Sequence, residues 1–358
     1  MSDEREEATA ETTGAGRLPS PFLRYLGVRL AVSLLLVLGV TLVTFGLTNL
    51  VPGDPVAAAL GERASSDPQI VAAFRQAQGL DRPLVEQYVV YLGHLLHGNL
   101  GTSIQTHNAV ATDLAVAVPA TAELALFVIL LSVVLGIALG VLAALNHNRL
   151  PDQLIRAVSL VGISVPSFWL ALALYYVFFF KLHLAPGTGR LDPAANPPPT
   201  VTGMYTVDAL LAGQLDVFGD ALAHLVLPGV VLTLYAVGLF VRFTRSAVLD
   251  VLGQDYIRAA RAKGLPPGQV VFRYLLRGSL LPILTVVGLV FGSLLSGTVL
   301  TEQVFGWGGL GQYAFRASTS LDLPAIMGVG LIVGIVYIAT NLIIDVAYGL
   351  IDPRVRVR

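Results

Sequence analysis

Of the 358 residues, 55% belong to the hydrophobic set, only 13% are charged, and the formal net charge is −1. Soluble domains carry about 25% charged residues, so this composition belongs in a membrane, and the balanced charge gives no reason to invoke nucleic acid. The chain has no cysteine, which excludes disulfides, thiolate metal sites and cysteine nucleophiles.

Residues 1–20 are acidic, rich in Thr, Ala and Gly, and without periodicity, and they read as a disordered tail facing the cytoplasm. Residues 21–50 form the first membrane helix, with its apolar run at Leu30–Leu50. Residues 51–118 form a partly helical segment outside the membrane. In it, Asp67 caps a helix that begins at Pro68 and stops at Gly79. A second helix there sets Leu84, Tyr88, Leu92 and Leu95 on one face and ends at Gly98. Such a face either covers the bundle or docks a partner from outside, for which Leu84, Tyr88 and Leu92 are the candidates.

Residues 119–351 hold five further apolar runs: Ala120–Leu145, Ala157–Phe180, Leu225–Val241, Leu280–Leu300 and Ala325–Leu350. Each approaches the roughly 20 helical residues needed to cross about 30 Å of hydrocarbon. The expected fold is therefore an all-α polytopic membrane protein with six spans. The fourth run is short, with Pro228 in its first turn, and Lys181–His224 before it reads as irregular. Gly162, Ser164 and Pro166 break the third run. Gly288, Gly292, Ser293, Ser296 and Gly297 make the fifth one small-surfaced. These residues serve packing, or they mark the hinge and lining of a gated path, with Ser164, Pro166, Gly292 and Ser296 as candidates. Phe168, Trp169, Tyr175 and Tyr176 read as packing or as an interfacial belt.

Orientation follows from the basic residues. With both ends in the cytoplasm, including the tail at 352–358, 16 of the 22 Lys/Arg fall inside. Seven of them lie in the loop 242–278: Arg242, Arg245, Arg258, Arg261, Lys263, Arg273 and Arg277. That loop reads as a short helix capped by Asp255 and stopped by Gly264, with Pro266 and Pro267 preventing its continuation. Ala259, Ala260 and Ala262 keep the helix thin, and Arg258, Arg261 and Lys263 make it basic. Such an element suits a groove on another protein.

Glu123, near the outer end of the second run, reaches water, pairs locally or belongs to an outer mouth. Asn341 and Asp345 share a face near the other end of the last run. There they satisfy helix ends or pair with Arg242, Arg245 or Arg354. The deep positions are Leu, Val, Ile, Gly and Ala, so no ion relay for a secondary carrier is visible. The six His show no ligand spacing, Ser164 has no catalytic partners, and no phosphate-cradling Gly-Lys-Ser/Thr loop occurs.

The loop at 242–278 resembles the cytoplasmic coupling loop of ABC-importer permeases of the dipeptide, oligopeptide and nickel branch. Ala259, Ala260 and Gly264 keep the family pattern. Arg258 stands where Glu is usual, Tyr274 holds the usual Ile place, and Arg277 falls where Pro is usual. The wording Tyr256-Ile-Arg-Ala-Ala-Arg-Ala-Lys-Gly264 is typical of the peptide branch. So are the phrases at Val51–Pro55, Gly79–Pro83, Gly98–Ser103, Pro119–Leu124, Ser164–Trp169, Val304–Gly311 and Asp352–Arg354, although Asn99 replaces the usual Asp. The resemblance runs from about Phe22 to Arg354. It implies a transport subunit without catalytic residues, forming half of an alternating-access pathway in a bacterial inner membrane. The implied partners are a second permease, two ATPase domains that bind ATP and Mg²⁺ in place of any cofactor on this chain, and an external binding protein. Asp255, Tyr256, Arg258, Ala259, Ala260, Arg261, Lys263 and Gly264 are then the contact to the ATPases. The implied cargo is a dipeptide or oligopeptide, with nickel, glutathione and short sugars as alternatives.

Overall fold

The computed structural model describes residues 21–50, 67–78 and 81–351, whose regular elements are helical apart from one isolated bridge between Thr102 and Ala109. The tails at 1–20 and 352–358, the phrase at Val51–Pro55 and the stop at Gly79 lie outside the described residues. In chain order the helices are α1 (Pro21–Leu50), α2 (Pro68–Gln78), α3 (Leu84–Leu96), α4 (Val110–Leu145), α5 (Leu150–Ser164) and α6 (Ser167–Tyr175), the last continuing as a wider turn to Lys181. Next come α7 (Tyr205–Leu211), α8 (Leu215–Leu252), α9 (Asp255–Ala262), α10 (Leu276–Gly297), α11 (Val299–Phe305), α12 (Leu310–Thr319) and α13 (Leu323–Ile351). A π-helical turn, Val270–Leu275, leads into α10.

Five stretches are long and apolar enough to cross a membrane: Tyr25–Gly46, Val110–Leu145, Leu215–Leu252, Pro267–Leu294 and Leu323–Gly349. A sixth exists only if α5 and α6, which meet at 97° across Val165 and Pro166, count as one span. The bend has a local cause. Proline disfavours helical geometry in the residue before it, and Val165 is extended, with ψ 126°.

Two expectations about the middle of the chain need correction. The fourth span is not a short helix opening at Pro228: α8 runs for 38 residues with Pro228 in its interior. Asp216, Asp220, Arg242 and Arg245 hide the helical ends from an apolar window, yet the helix continues past both of them. At about 1.5 Å per residue it is nearly twice as long as the hydrocarbon is thick. Nor is Lys181–His224 irregular throughout, since it contains α7 and the first turns of α8. Asp208 explains the folded part. Its carboxylate accepts from the backbone N–H groups of Val201, Thr202 and Gly203 and from the Thr202 hydroxyl. Burial pushes its pKa up, but these donors outweigh burial and hold it below the usual carboxylate range.

α8 is the axis of the bundle and α1 its periphery: 67% of the apolar window of α8 is buried against 6% for α1. Gly136 and Gly140 of α4 face Phe240 and Thr244 of α8. A Cβ at Gly136 would stand 2.2 Å from Phe240 Cβ, and one at Gly140 2.7 Å from Thr244 Cβ. With little hydrophobic drive between helices in lipid, such close backbone approach supplies the packing. Gly288 and Gly292 of α10 admit Ile344 and Tyr337 of α13 in the same way. The central core joins Leu124 and Val128 of α4, Leu232 and Phe240 of α8, Val286 and Val290 of α10, and Trp307.

Candidate functional site

The 242–278 loop is built on a small core of its own. Ile257 of α9 packs with Val251, Val270 and Leu275, and all four are buried, as is Ala260 on the same side of α9. The opposite face of α9 presents Arg258, Ala259, Arg261 and Lys263 to solvent. Thus, of the alanines expected to slim an outward face, Ala259 and Ala262 are outward and Ala260 is inward. Tyr256 is half exposed, and its hydroxyl lies 2.6 Å from where a Cβ on Gly278 would stand, which ties α9 to the start of α10.

Gly264 stops the helix as expected. It takes φ +76°, its N–H donates to Arg261 O, and Leu265 N–H donates to Ala260 O, a Schellman closure. The start differs from expectation. Gln254 is the N-cap, with extended backbone, and Asp255 is the first helical residue without a side-chain capping bond. Asp255 instead pairs with Arg258, three residues on. Its carboxylate remains in the first turn, where the helix dipole favours it.

Beneath the loop, Asp152 is fully buried and receives Arg245 Nε at 2.7 Å and Nη2 at 2.8 Å, together with the N–H of Asn148 at 2.9 Å. Arg245 Nη2 also lies 2.9 Å from His147 Nδ1. This fork locks the turn between α4 and α5 to α8, about two turns before α8 ends. Arg245 is therefore not a partner of Asp345, which pairs with Arg29 at 2.8 Å. Asn341 donates to Tyr337 O of its own helix. Asn341 and Asp345 line a cavity of about 330 Å³ between α10 and α13, with Gly292, Tyr337 and Tyr348.

The opposite end carries a second buried network. Glu123 does not reach water: it accepts from Arg190 Nη2 at 2.7 Å and from both the N–H and the hydroxyl of Thr206 at 2.6 Å. The Arg190 guanidinium stacks 3.7 Å over the Tyr205 ring. Two residues earlier on α4, Thr121 donates to Glu302 at 2.6 Å. Glu302 is fully buried and accepts the N–H of Gln312 at 2.9 Å, so its carboxyl sits at the N-terminus of α12. Burial pushes the Glu302 carboxyl above its usual range, and these donors pull against it. Trp307 Nε1 donates to Ala120 O at 2.8 Å. One turn of α4 thus anchors both the 182–204 loop and the 302–312 loop.

The remaining candidates lie apart. Ser164 and Pro166 are exposed at the α5–α6 bend, and Gly292 lines the α10–α13 cavity. The side chain of Ser296 lies outside the described residues. On α3, Leu84 is exposed, Leu92 is half-buried, and Tyr88 turns toward α1 with its hydroxyl 2.9 Å from Thr41 Oγ1. Asp152, Arg190 and Glu302 were not singled out by the sequence. A buried charge whose partner is 67 or 93 residues away leaves no local pattern.

The described residues form a helical multi-pass membrane bundle, with a short basic helix at one end and pinned loops at the other. Two family descriptions match it: the N-terminal part of binding-protein-dependent transport system membrane components over residues 22–125, and the inner membrane component of these systems over residues 136–357. The chain belongs to this family of inner-membrane permeases of ABC importers, which work with ATPases and substrate-binding proteins. It is 46% identical over 321 residues to a probable D,D-dipeptide transport permease of Escherichia coli, covering 90% of this chain and 94% of that one. It is 43% identical to a di/tripeptide transport permease of Pseudomonas aeruginosa (93% and 99% covered) and 37% identical to the dipeptide transport permease of E. coli (93% and 99% covered).

Proposed function

We propose that this chain forms half of the pathway of an ATP-driven importer of dipeptides or short oligopeptides, paired with a second, homologous permease. The 146–152 turn, the 242–278 loop and both chain ends face the cytoplasm, in keeping with the basic residues. ATP and Mg²⁺ are held by the two ATPase domains, into which α9 inserts. The observation that carries this reading is α9 itself. It is held rigidly by Ile257, Ala260 and the Gly264 closure, yet it turns Arg258, Ala259, Arg261 and Lys263 away from the bundle.

Substrate delivered by a binding protein at the outer end, formed by residues 99–109, 182–214 and 300–322, then moves as the ATPases close. The Arg245–Asp152 fork carries α9 motion into α4, α5 and α8. The Ser164–Pro166 bend and the α10–α13 contact at Gly292 are the places where the bundle gives. The peptide assignment draws on the relatives' substrates. It is tested by reconstituting the complex in proteoliposomes with its binding protein. ATP-dependent uptake of labelled dipeptide, with no uptake of Ni²⁺, is expected. Uptake driven by a proton gradient without ATP would overturn the mechanism, and Ni²⁺ uptake without peptide uptake would overturn the substrate class.

A further inference from the structure

Helix α3 has an apolar stripe that nothing in the described structure covers. Val85, Val89 and Leu96 are 75%, 62% and 88% exposed. At about 100° per residue they fall within roughly 40° of one another. Tyr88, Tyr91 and Leu95 form the neighbouring face, and the rings of Tyr88 and Tyr91 lie 5.4 and 5.8 Å from that of Phe45 in α1. Glu86, His94 and His97 occupy the far side and are exposed. No Lys or Arg lies within α3.

The level of this contact decides what covers the stripe. Arg29 and Asp345 pair toward one end of α1 and α13, and the cost of charge in hydrocarbon sets the water boundary near them, while Asp322 marks the start of α13 at the other end. Those two Asp are 23 residues apart, about 34 Å along a helix, close to the thickness of a bilayer core. Thr41, which meets the Tyr88 hydroxyl, is 12 residues from Arg29, about 18 Å along α1. The packing of α1 on α13 agrees, since Gly330 faces Thr44 and Gly334 faces Val40, well below Asp322. Tyr88 therefore reaches into the hydrocarbon layer, below the level that a soluble partner touches. Leu42 and Val43 of α1, 56% and 59% exposed, are lipid-facing in any membrane-spanning α1.

We propose that α3 is a membrane-surface helix. Val85, Val89 and Leu96 sit in the acyl chains of the leaflet beside it, α1 lies along one flank, and Glu86, His94 and His97 face the headgroups and water. The absence of basic residues makes the attachment one of apolar area rather than of charge attraction to anionic lipid. The helix then fixes where the outer segment leaves the membrane. Leu84 and Leu92 belong to this seating and not to a contact with the binding protein. The proposal rests on the family reading only in that α1 spans the bilayer.

The chain contains no Cys, so single spin labels report cleanly. Val85→Cys, Val89→Cys, Leu96→Cys, Glu86→Cys and the control Leu42→Cys are labelled in the assembled transporter in lipid nanodiscs. Collision with oxygen, which concentrates in acyl chains, is compared with collision with a water-soluble nickel chelate. The expected result is oxygen-dominated relaxation at 85, 89 and 96, matching position 42 and unchanged by the loaded binding protein, with nickel-dominated relaxation at 86. Nickel access at 85 and 89 that the binding protein removes would overturn the proposal in favour of a docking face. Low access to both reagents would overturn it in favour of cover by a second permease. Loss of the lipid signature at position 42 as well would instead mean that α1 does not span.

Discussion

Replacing Arg190 with Met leaves Glu123 buried without its cation. The guanidinium and carboxylate are 2.7 Å apart, with side chains only 8% and 4% exposed. Breaking a buried pair from one side costs about 3–5 kcal/mol. Glu123 keeps the two donors from Thr206, so the lower end, about 3 kcal/mol, is the figure to expect. That corresponds to roughly a hundredfold rise in the unfolding constant. The stacking of Arg190 on Tyr205 is lost in the same change. The double variant Glu123→Leu/Arg190→Met removes both charges and is expected to recover most of the loss, because the penalty lies in the stranded carboxylate rather than in a missing attraction. Denaturant titration of the purified permease in detergent measures this. Tryptophan emission is well placed as the signal, since Trp307 lies 5.9 Å from the Arg190 guanidinium and the chain has only two Trp. If Arg190→Met is no less stable than the double variant, the buried-pair reasoning is wrong.

Gly136→Val drives a β-branched side chain into Phe240 at the α4–α8 contact and is expected to destabilise by about 1–3 kcal/mol. Gly39→Val, where a Cβ meets nothing within 4 Å, is the neutral control, and thermal inactivation of the two variants side by side checks the difference. Asp208 has a folded pKa below its ordinary value, so its contribution is present above the unfolded pKa of about 4 and disappears as pH falls through the folded value. Asp208→Asn should therefore narrow the stability gap to wild type as the pH of the titration drops below about 4. A gap that stays constant down to acid pH would contradict that assignment.

How much of this was legible beforehand depends on whether a feature is local. The end of α9 was visible because Gly264 followed by two prolines admits one closure, and the structure forms it. Its beginning was misplaced by one residue, because Gln254 takes the extended cap geometry while Asp255, the more typical capping type, enters the first turn. Pro166 signalled the break in the third apolar run, though not its 97° angle, at which the two halves pack against α8 and, for α6, also α11. The length of α8 was hidden by Asp216, Asp220, Arg242 and Arg245, which end an apolar window without ending a helix. Glu123 was noticed and its partner was not. The Arg190–Glu123, Arg245–Asp152 and Thr121–Glu302 contacts join residues 67 to 181 positions apart, and only the packed bundle brings them together.

The central claim is that α9 carries ATPase motion into this subunit. Gly264→Val tests it at the closure that ends the helix. Within this subunit a Cβ there meets nothing within 4 Å, so the strain inside the subunit is the left-handed φ of +76°, which costs an L-residue roughly 1–2 kcal/mol and a β-branched one more. Ala259→Trp, on the exposed face of α9, tests the contact itself. The decisive measurement is ATP hydrolysis by the reconstituted complex with and without loaded binding protein, read alongside uptake and alongside recovery of the intact complex by gel filtration. The account predicts that both variants assemble but lose stimulation and transport together. Stimulated hydrolysis and uptake near wild type in both would contradict it.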